Sequence, residues 1–207
     1  MINRITDFAP DGTETGVGLA IQDNDGRYLF FLAGTRHHCP PGELFYGGIG
    51  GHRETGEDQL GCAHREAIEE IGTDIEILPS FPTWNIPNKG PIRRVEVSDQ
   101  PHPLAFYELV YPAGTPRASE VYHIVIYRAR LSGPPKDMSP EELQGIIALT
   151  PKQVIQSLTR RPKLAQLLAE GALLLTGQKR IDPQTRLYPI GTARALFPIL
   201  RAVYNDH

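Results

Sequence analysis

Short apolar stretches separated by turn residues predict a chain rich in β-strands. The predicted strands cover residues 16–21, 28–32, 44–46, 75–78, 104–110, 121–131 and 146–149. Asn24-Asp25-Gly26 is a strong hairpin signal, so the first two strands are expected to pair with each other. Residues 79–117 are rich in Pro and Gly, which indicates an elaborated loop or strand insertion around the strand at 104–110.

Helical periodicity interrupts this strand pattern. Residues 58–71 repeat apolar positions at helical spacing, and Gly72 is well placed to end that helix. Thr150 and Pro151 are typical of a helix start, as N-cap and first helical residue. Further helices are predicted over residues 162–170 and 192–204. Strands and helices alternate without a simple βαβ rhythm, which predicts an α/β fold with helices on both faces of a mixed sheet.

Composition supports one ordinary globular domain. Of 207 residues, 40% are hydrophobic and 22% charged, which excludes a disordered chain. No apolar run is long enough to span a membrane, and the first residues lack a secretory signal, so a cytoplasmic location is expected. Only Cys39 and Cys62 are present, too few for a disulfide scaffold. We expect a single domain over residues 1–207, with a basic helical extension from about residue 161.

Charge is distributed unevenly along the chain. Residues 1–150 carry 12 Lys and Arg against 21 Asp and Glu, whereas residues 151–207 carry 9 against 3. A basic segment can bind anions or nucleic acid. The simpler interpretation is that the acidic and basic parts pack on each other, or on a partner subunit in a homodimer.

The helix at 58–71 carries the candidate chemistry. A helical wheel places the mainly apolar Leu60, His64, Ala67, Ile68 and Ile71 on one side, and Glu66, Glu69 and Glu70 on the opposite side. Glu66 and Glu70 are one turn apart, where like charges destabilise a helix by roughly 0.2–0.5 kcal/mol. A cation between them would remove this cost, and carboxylate oxygens suit Mg²⁺ or Mn²⁺. The alternative is a solvent-exposed acidic face whose glutamates are neutralised by Arg65 and Arg53.

A glycine-dense segment, residues 47–51, precedes this helix, and glycine lets the backbone approach a ligand closely. The run from Gly51 through Thr73 resembles the Nudix box, a motif of Gly, five residues, Glu, seven residues, then Arg-Glu-apolar-any-Glu-Glu-any-Gly-apolar. Thr73 departs from the aliphatic residue usual at the last position. The matching fixed positions are Gly51, Glu57, Arg65, Glu66, Glu69, Glu70 and Gly72.

The resemblance implies an α/β/α sandwich around a mixed sheet. It also implies a metal-dependent hydrolase that cleaves the diphosphate linkage of a nucleoside diphosphate joined to another group. Glu66 and Glu70 would be the main metal ligands, with the Gly50 carbonyl, and Glu69 a third ligand or the water-activating base. Glu57 and Arg65, with Gly51 and Gly72, would be structural. The cofactor is expected to be Mg²⁺ or Mn²⁺.

Residues outside the box complete the candidate site. The family often places its general base on a loop after the long central strand, where Glu141 and Glu142 lie. We expect Glu142 to be the general base. Glu120 is the other candidate for the general base. The structural alternative is that residues 139–142 form the first turn of a helix, where acidic side chains are favourable. Substrate phosphates are assigned to arginines that could bind them bidentately, namely Arg53, Arg93 and Arg94, with Arg36 also considered.

The substrate stays open among nucleotide sugars, ADP-ribose, dinucleoside polyphosphates and oxidised nucleotides. An alternative function is a Nudix-type ligand sensor that binds nucleic acid through its basic C-terminal segment. Such regulators usually have degraded boxes, whereas Glu66, Glu69 and Glu70 are all present. We therefore expect a nucleotide-type substrate, no membrane association and no nucleic-acid partner.

Overall fold

The computed structural model describes residues 2–111, 113–114, 117–136, 140–177 and 181–205. The strands are β1 (Thr15–Gln22), β2 (Tyr28–Ala33), β3 (Glu43–Gly47), β4 (Ile75–Leu78), β5 (Thr83–Ile86), β6 (Arg93–Val95), β7 (Ala105–Val110), β8 (Val121–Leu131), β9 (Leu143–Leu149), β10 (Leu173–Thr176) and β11 (Arg186–Pro189). The helices are α1 (Gln59–Ile71), α2 (Pro151–Ser157), α3 (Leu164–Ala169) and α4 (Gly191–Asn205), with a short 3₁₀ helix at Ile5–Asp7.

All strands of the described residues belong to one mixed sheet with β1 and β8 at its centre. The main order is β10-β9-β2-β1-β8-β7-β5-β6; β3 pairs with β2 and β11, and β4 pairs with β8. β1 runs parallel to β8, from Thr15 opposite His123 to Ile21 opposite Ala129, and antiparallel to β2. β1 is almost completely buried, because layers of side chains cover both of its faces.

Alternate side chains of β1 divide the core into two layers. On one face, Val17, Leu19 and Ile21 pack in a cluster with α1. On the other face, Ala20 belongs to a cluster that includes α2, α3 and α4. The predicted α/β class, with helices on both faces of a mixed sheet, is therefore confirmed.

Most predicted elements are present, but four strands were not expected. β5 and β6 lie in the segment interpreted as a loop insertion around β7, and β10 and β11 lie in the segment predicted to be only helical. The helical description of the region from 161 is therefore wrong in part. All four are short, and β11 pairs with the distant β3, so no local pattern marks them. Whether residues 1–207 fold as one domain stays a prediction.

Two further expectations concern the segment before β9 and the possibility of a membrane-spanning helix. Residues 140–142 form a turn rather than a helix start, and Ser139 lies outside the described residues. Among the residues that the structure describes, no helix combines the length and the apolar character needed to cross a bilayer.

Candidate active site

The segment after β3 continues along the first half of β1. Leu19 N–H donates to the Ile49 carbonyl at 2.8 Å, and Val17 N–H donates to the Gly51 carbonyl at 3.0 Å. A Cβ on Gly48 would lie 2.7 Å from the Leu19 carbonyl oxygen, so no side chain fits there. The glycine segment at 47–51 therefore runs alongside β1, with few side chains, immediately before α1.

α1 begins and ends as the sequence predicts. The Asp58 carboxylate accepts a hydrogen bond from Gly61 N–H at 2.7 Å, which caps the helix start. Gly72 adopts φ +62°, and its N–H donates to the Ile68 carbonyl at 3.0 Å. These caps fix the residues at which the helix begins and ends.

The buried face of α1 differs from the one that the helical wheel suggests. Its buried residues are Cys62, Ala63, Ala67 and Ile71, whereas Ile68 is 55% exposed. Glu66 and Glu70 are only partly exposed and lie on this inward arc. The prediction that all three glutamates oppose the buried flank is therefore wrong for these two.

Glu70 faces the glycine segment. Its Oε2 accepts a hydrogen bond from Gly50 N–H at 3.1 Å. Burial raises the pKa of Glu70 to about 8, against the lowering effect of the Gly50 hydrogen bond, and the charges of Glu66 and Glu142 raise it further. A positive charge next to this carboxylate would restore its ionised form.

Glu66 is held against the backbone of Gly51. A Cβ on Gly51 would lie 2.3 Å from Glu66 Oε1, so only glycine leaves room for this carboxylate. Arg65 Nη1 donates to the same oxygen at 2.8 Å. Burial nevertheless raises the pKa of Glu66 above its ordinary value. Two carboxylates with raised pKa values thus lie beside Gly50 and Gly51.

Arg65 ties the loop to the helix. Its Nε and Nη2 donate to the two oxygens of Glu57 at 2.9 and 3.0 Å, and Nη2 also donates to the His52 carbonyl at 3.0 Å. The bidentate contact with Arg65 lowers the pKa of Glu57 to about 2. This geometry supports the structural role that the resemblance implies for both residues.

Glu69 does not join the inner pair. Its side chain is 59% exposed, and its Oε2 accepts a hydrogen bond from Arg65 Nη1 at 3.0 Å. Among the described residues, no three His, Cys, Asp or Glu side chains are close enough to hold a metal ion. Glu69 lies about 100° around the helix from Glu70 and contacts Arg65, and its role as a third metal ligand or base stays a prediction.

Glu142 lies near Glu70. Its carboxylate pairs with the guanidinium of Arg36, and both charges influence the pKa of Glu70, Glu142 raising it and Arg36 lowering it. Arg36 N–H also donates to the Glu141 carbonyl at 3.1 Å, which ties the end of β2 to the start of β9. The catalytic role of Glu142 stays a prediction.

The donor set fits a hard divalent cation. Mg²⁺ is usually bound by one or two carboxylates and keeps several waters, and Glu66 and Glu70 supply two carboxylates. The buried Glu70 carboxylate accepts from a neutral N–H, and a cation would offset its desolvation. The Glu66 carboxylate occupies the position that a Cβ on Gly51 would fill, so the lack of a side chain there lets Glu66 lie against the glycine backbone.

Comparison with known proteins decides the family. The NUDIX domain family model matches residues 12–171 of this chain. The chain belongs to the Nudix family. The resemblance to the Nudix family and the predicted enzyme class, a Nudix hydrolase, are thereby confirmed. Nudix hydrolases act on nucleoside diphosphates linked to another group and generally use divalent metal ions.

Solved structures similar to this Nudix chain include several MutT and Nudix proteins. The Escherichia coli ORF135 protein is 14% identical, with 70% of this chain and 78% of that chain covered and a TM-score of 0.43. A MutT Nudix hydrolase from Burkholderia pseudomallei is 20% identical, with 69% of this chain and 86% of that chain covered and a TM-score of 0.44. A MutT protein from Methanosarcina mazei Go1 is 12% identical, with 69% of this chain and 80% of that chain covered and a TM-score of 0.46. No curated protein matches in sequence. The family assignment therefore rests on the domain match.

The structure gives Arg53 an acidic neighbour and places Arg93 and Arg94 on an edge strand of the sheet. Arg53 lies 3.7 Å from Asp11. Arg93 and Arg94 lie on β6 at the sheet edge, four strand spacings or about 19 Å from β1. Arg94 lies over the ring of Trp84, with its Cζ 5.1 Å from the ring centroid. Their roles in binding substrate stay predictions.

A polar cluster on the other side of Gly51 was not anticipated. Tyr122 Oη donates to the Gly51 carbonyl at 3.0 Å, and the ring of His52 stacks on Tyr122 at 4.5 Å. His52 Nε2 lies 2.5 Å from Glu14 Oε1, which also accepts from Tyr111 Oη at 3.0 Å. These contacts hold the first residues of the Nudix box. The sequence carries no signal for them, because β1 and β8 must pair before these side chains meet.

Two other residues considered from the sequence have clear positions. Cys62 is fully buried, and burial raises the pKa of its thiol to about 12, so it is a protonated packing residue. Glu120 pairs with Arg117 at 2.8 Å, and Arg117 also binds Glu14, so Glu120 lies with the cluster around His52.

The melting temperature of the metal-free protein is expected to fall as pH rises from about 5 to about 8. The ordinary pKa of Glu70 is 4.5 and its folded value is about 8, so the folded state binds more protons in this window. The resulting stability is fully present below the unfolded pKa and lost as pH rises through the folded one. Thermal unfolding in chelator should show a fall on the order of 5 °C. Glu70→Gln should remove most of this slope; an unchanged slope would contradict the assignment to Glu70.

Proposed function

We propose that the protein is a divalent-metal-dependent hydrolase that cleaves the diphosphate linkage of a nucleoside diphosphate joined to another group. The observation that carries the proposal is the pair of inward carboxylates, Glu66 and Glu70, set against the bare backbone of Gly50 and Gly51. A bound Mg²⁺ or Mn²⁺ would neutralise charge on the phosphates and orient a water.

The chain's own residues would then divide the work. Glu66 and Glu70 would hold the cation, and the glycine backbone would leave room for the diphosphate. Glu142 would accept a proton from the attacking water, with Arg36 fixing its carboxylate. Water adds its oxygen to phosphorus while the bridging P–O bond breaks, so a nucleoside monophosphate and a second phosphate product are released. Glu69, paired with Arg65, is the alternative base.

The basic C-terminal segment favours the enzyme over the nucleic-acid-binding sensor. Arg161 Nη1 donates to Glu43 Oε2 at 2.6 Å, and Arg186 Nη1 donates to the Arg161 carbonyl at 3.1 Å. Lys163 Nζ donates to Gln184 at 2.7 Å. The Arg161–Glu43 ion pair joins the basic segment to the acidic part of the chain, which supports the interpretation that the two parts pack on each other. The homodimer and the cytoplasmic location stay predictions.

Product formation from a nucleotide panel, followed by chromatographic separation of the released nucleotides, tests the proposed function. The panel comprises ADP-ribose, a nucleotide sugar, a dinucleoside polyphosphate and an oxidised nucleoside triphosphate, each with Mg²⁺, Mn²⁺ or chelator. We expect turnover of at least one compound with metal and none with chelator. Turnover that persists in chelator would contradict metal dependence, and no turnover of any compound, together with salt-sensitive binding of duplex DNA, would favour the sensor.

A further inference from the structure

Beyond the glutamates, a row of aromatic rings lies on the same face of the sheet as α1. Phe31 packs against the cluster that contains α1, and it is paired with Gly47 across β2 and β3. Phe45 is two residues before Gly47 and so shares that face, and Tyr188 of β11 is directly opposite Phe45. We call Phe31, Phe45 and Tyr188, together with His37, the aromatic strip.

The rings of the aromatic strip contact one another around Phe45. Ring centroids lie 6.1 Å apart for Phe31 and Phe45, 5.0 Å for His37 and Phe45, and 6.3 Å for Phe45 and Tyr188. All four side chains are only partly buried. The opposite face of the same strands already fills the core, with Tyr46 and Leu187 completely buried. The aromatic strip is therefore a surface feature beside the core.

The strip begins where the candidate reaction centre ends. His37 follows Arg36 directly in the chain. Arg36 pairs with Glu142, and the charge of Glu142 raises the pKa of Glu70. At the far end, Arg161 Cζ lies 5.1 Å above the Tyr188 ring, and the Arg161 side chain is 58% exposed. Guanidinium groups thus border the strip at both ends.

This inference rests on the proposed function. We propose that the aromatic strip binds the nucleobase of the substrate, whose diphosphate lies at Glu66 and Glu70. Aromatic rings and guanidinium planes stack on nucleobases regardless of sequence, and the partly exposed strip with Arg161 offers both kinds of group. Tyr188 lies beyond the matched residues 12–171, so the C-terminal segment completes the substrate site.

Calorimetric binding without divalent metal tests the strip directly. The probes are AMP, GMP, CMP and UMP, with ribose 5-phosphate as the probe that lacks a base. We expect at least one monophosphate to bind the wild type about tenfold tighter than ribose 5-phosphate. Tyr188→Leu should remove this preference and Tyr188→Phe should keep it, because Leu retains apolar packing without an aromatic face.

Phe81→Ala is the matched control, because Phe81 is 85% exposed and lies next to β5, away from the strip. Its preference for the monophosphate should equal that of the wild type. The absence of any base preference in the wild type, or its survival in folded Tyr188→Leu protein, would overturn the inference. Turnover in the nucleotide panel without a base preference would overturn this inference alone. A base preference without turnover of any compound would overturn the proposed hydrolysis alone.

Discussion

Glu70→Gln is expected to lower kcat/KM about a thousandfold while the protein stays folded. Glu70 is the buried carboxylate nearest Gly50, and its replacement removes one of two inward ligands for the cation. Losing one group that positions charge in the transition state typically costs 10²–10³ in rate. Steady-state kinetics on the best substrate of the nucleotide panel would measure the loss.

The same variant should not be less stable. An uncharged amide replaces a carboxylate whose burial is unfavourable when it is ionised, so the melting temperature above pH 8 in chelator should rise. Glu76→Gln is the matched control, because Glu76 is an exposed glutamate of β4 paired with Arg130. Near-normal turnover in Glu70→Gln, or an equal loss in Glu76→Gln, would contradict the role of Glu70.

Gly51→Ala is expected to lower turnover about a hundredfold with a small change in melting temperature. The new Cβ would lie 2.3 Å from Glu66 Oε1, the far end of a flexible side chain that can move aside. The fold therefore tolerates the change, but the Glu66 carboxylate leaves its position beside Glu70. Kinetics and thermal unfolding on one preparation would separate these two effects.

Gly133→Ala controls for the substitution itself, since its Cβ would meet only the Thr73 hydroxyl at 3.3 Å. Its turnover should match that of the wild type. If Gly51→Ala retained full turnover, the close approach of Glu66 to the glycine backbone would have no functional consequence. If it unfolded, the glycine would be structural rather than a means of placing Glu66.

Local sequence signals predicted much of this architecture. The caps of α1, the hairpin turn before β2 and the long apolar run of β8 depend on nearby residues, and each element formed where expected. The Nudix box likewise brought Arg65, Glu57, Glu66 and Glu70 together on one helix and its preceding loop. These features need no knowledge of distant partners.

The remaining features depend on contacts between distant segments. The wheel of α1 could not show that the glycine segment lies beneath Glu66 and Glu70 and turns them inward. Tyr188 reaches the strip only because β11 pairs with β3. Arg93 and Arg94 are positioned by the order of β7, β5 and β6, which a Pro-rich segment does not reveal.

Crystals of the protein grown with Mn²⁺ would test the central claim most directly. That claim is that Glu66 and Glu70, with the backbone at Gly50, hold a divalent cation. An anomalous scattering peak within about 2.5 Å of an oxygen of both carboxylates is the predicted result. A fully occupied Mn²⁺ bound elsewhere, with both carboxylates free of metal, would contradict the account.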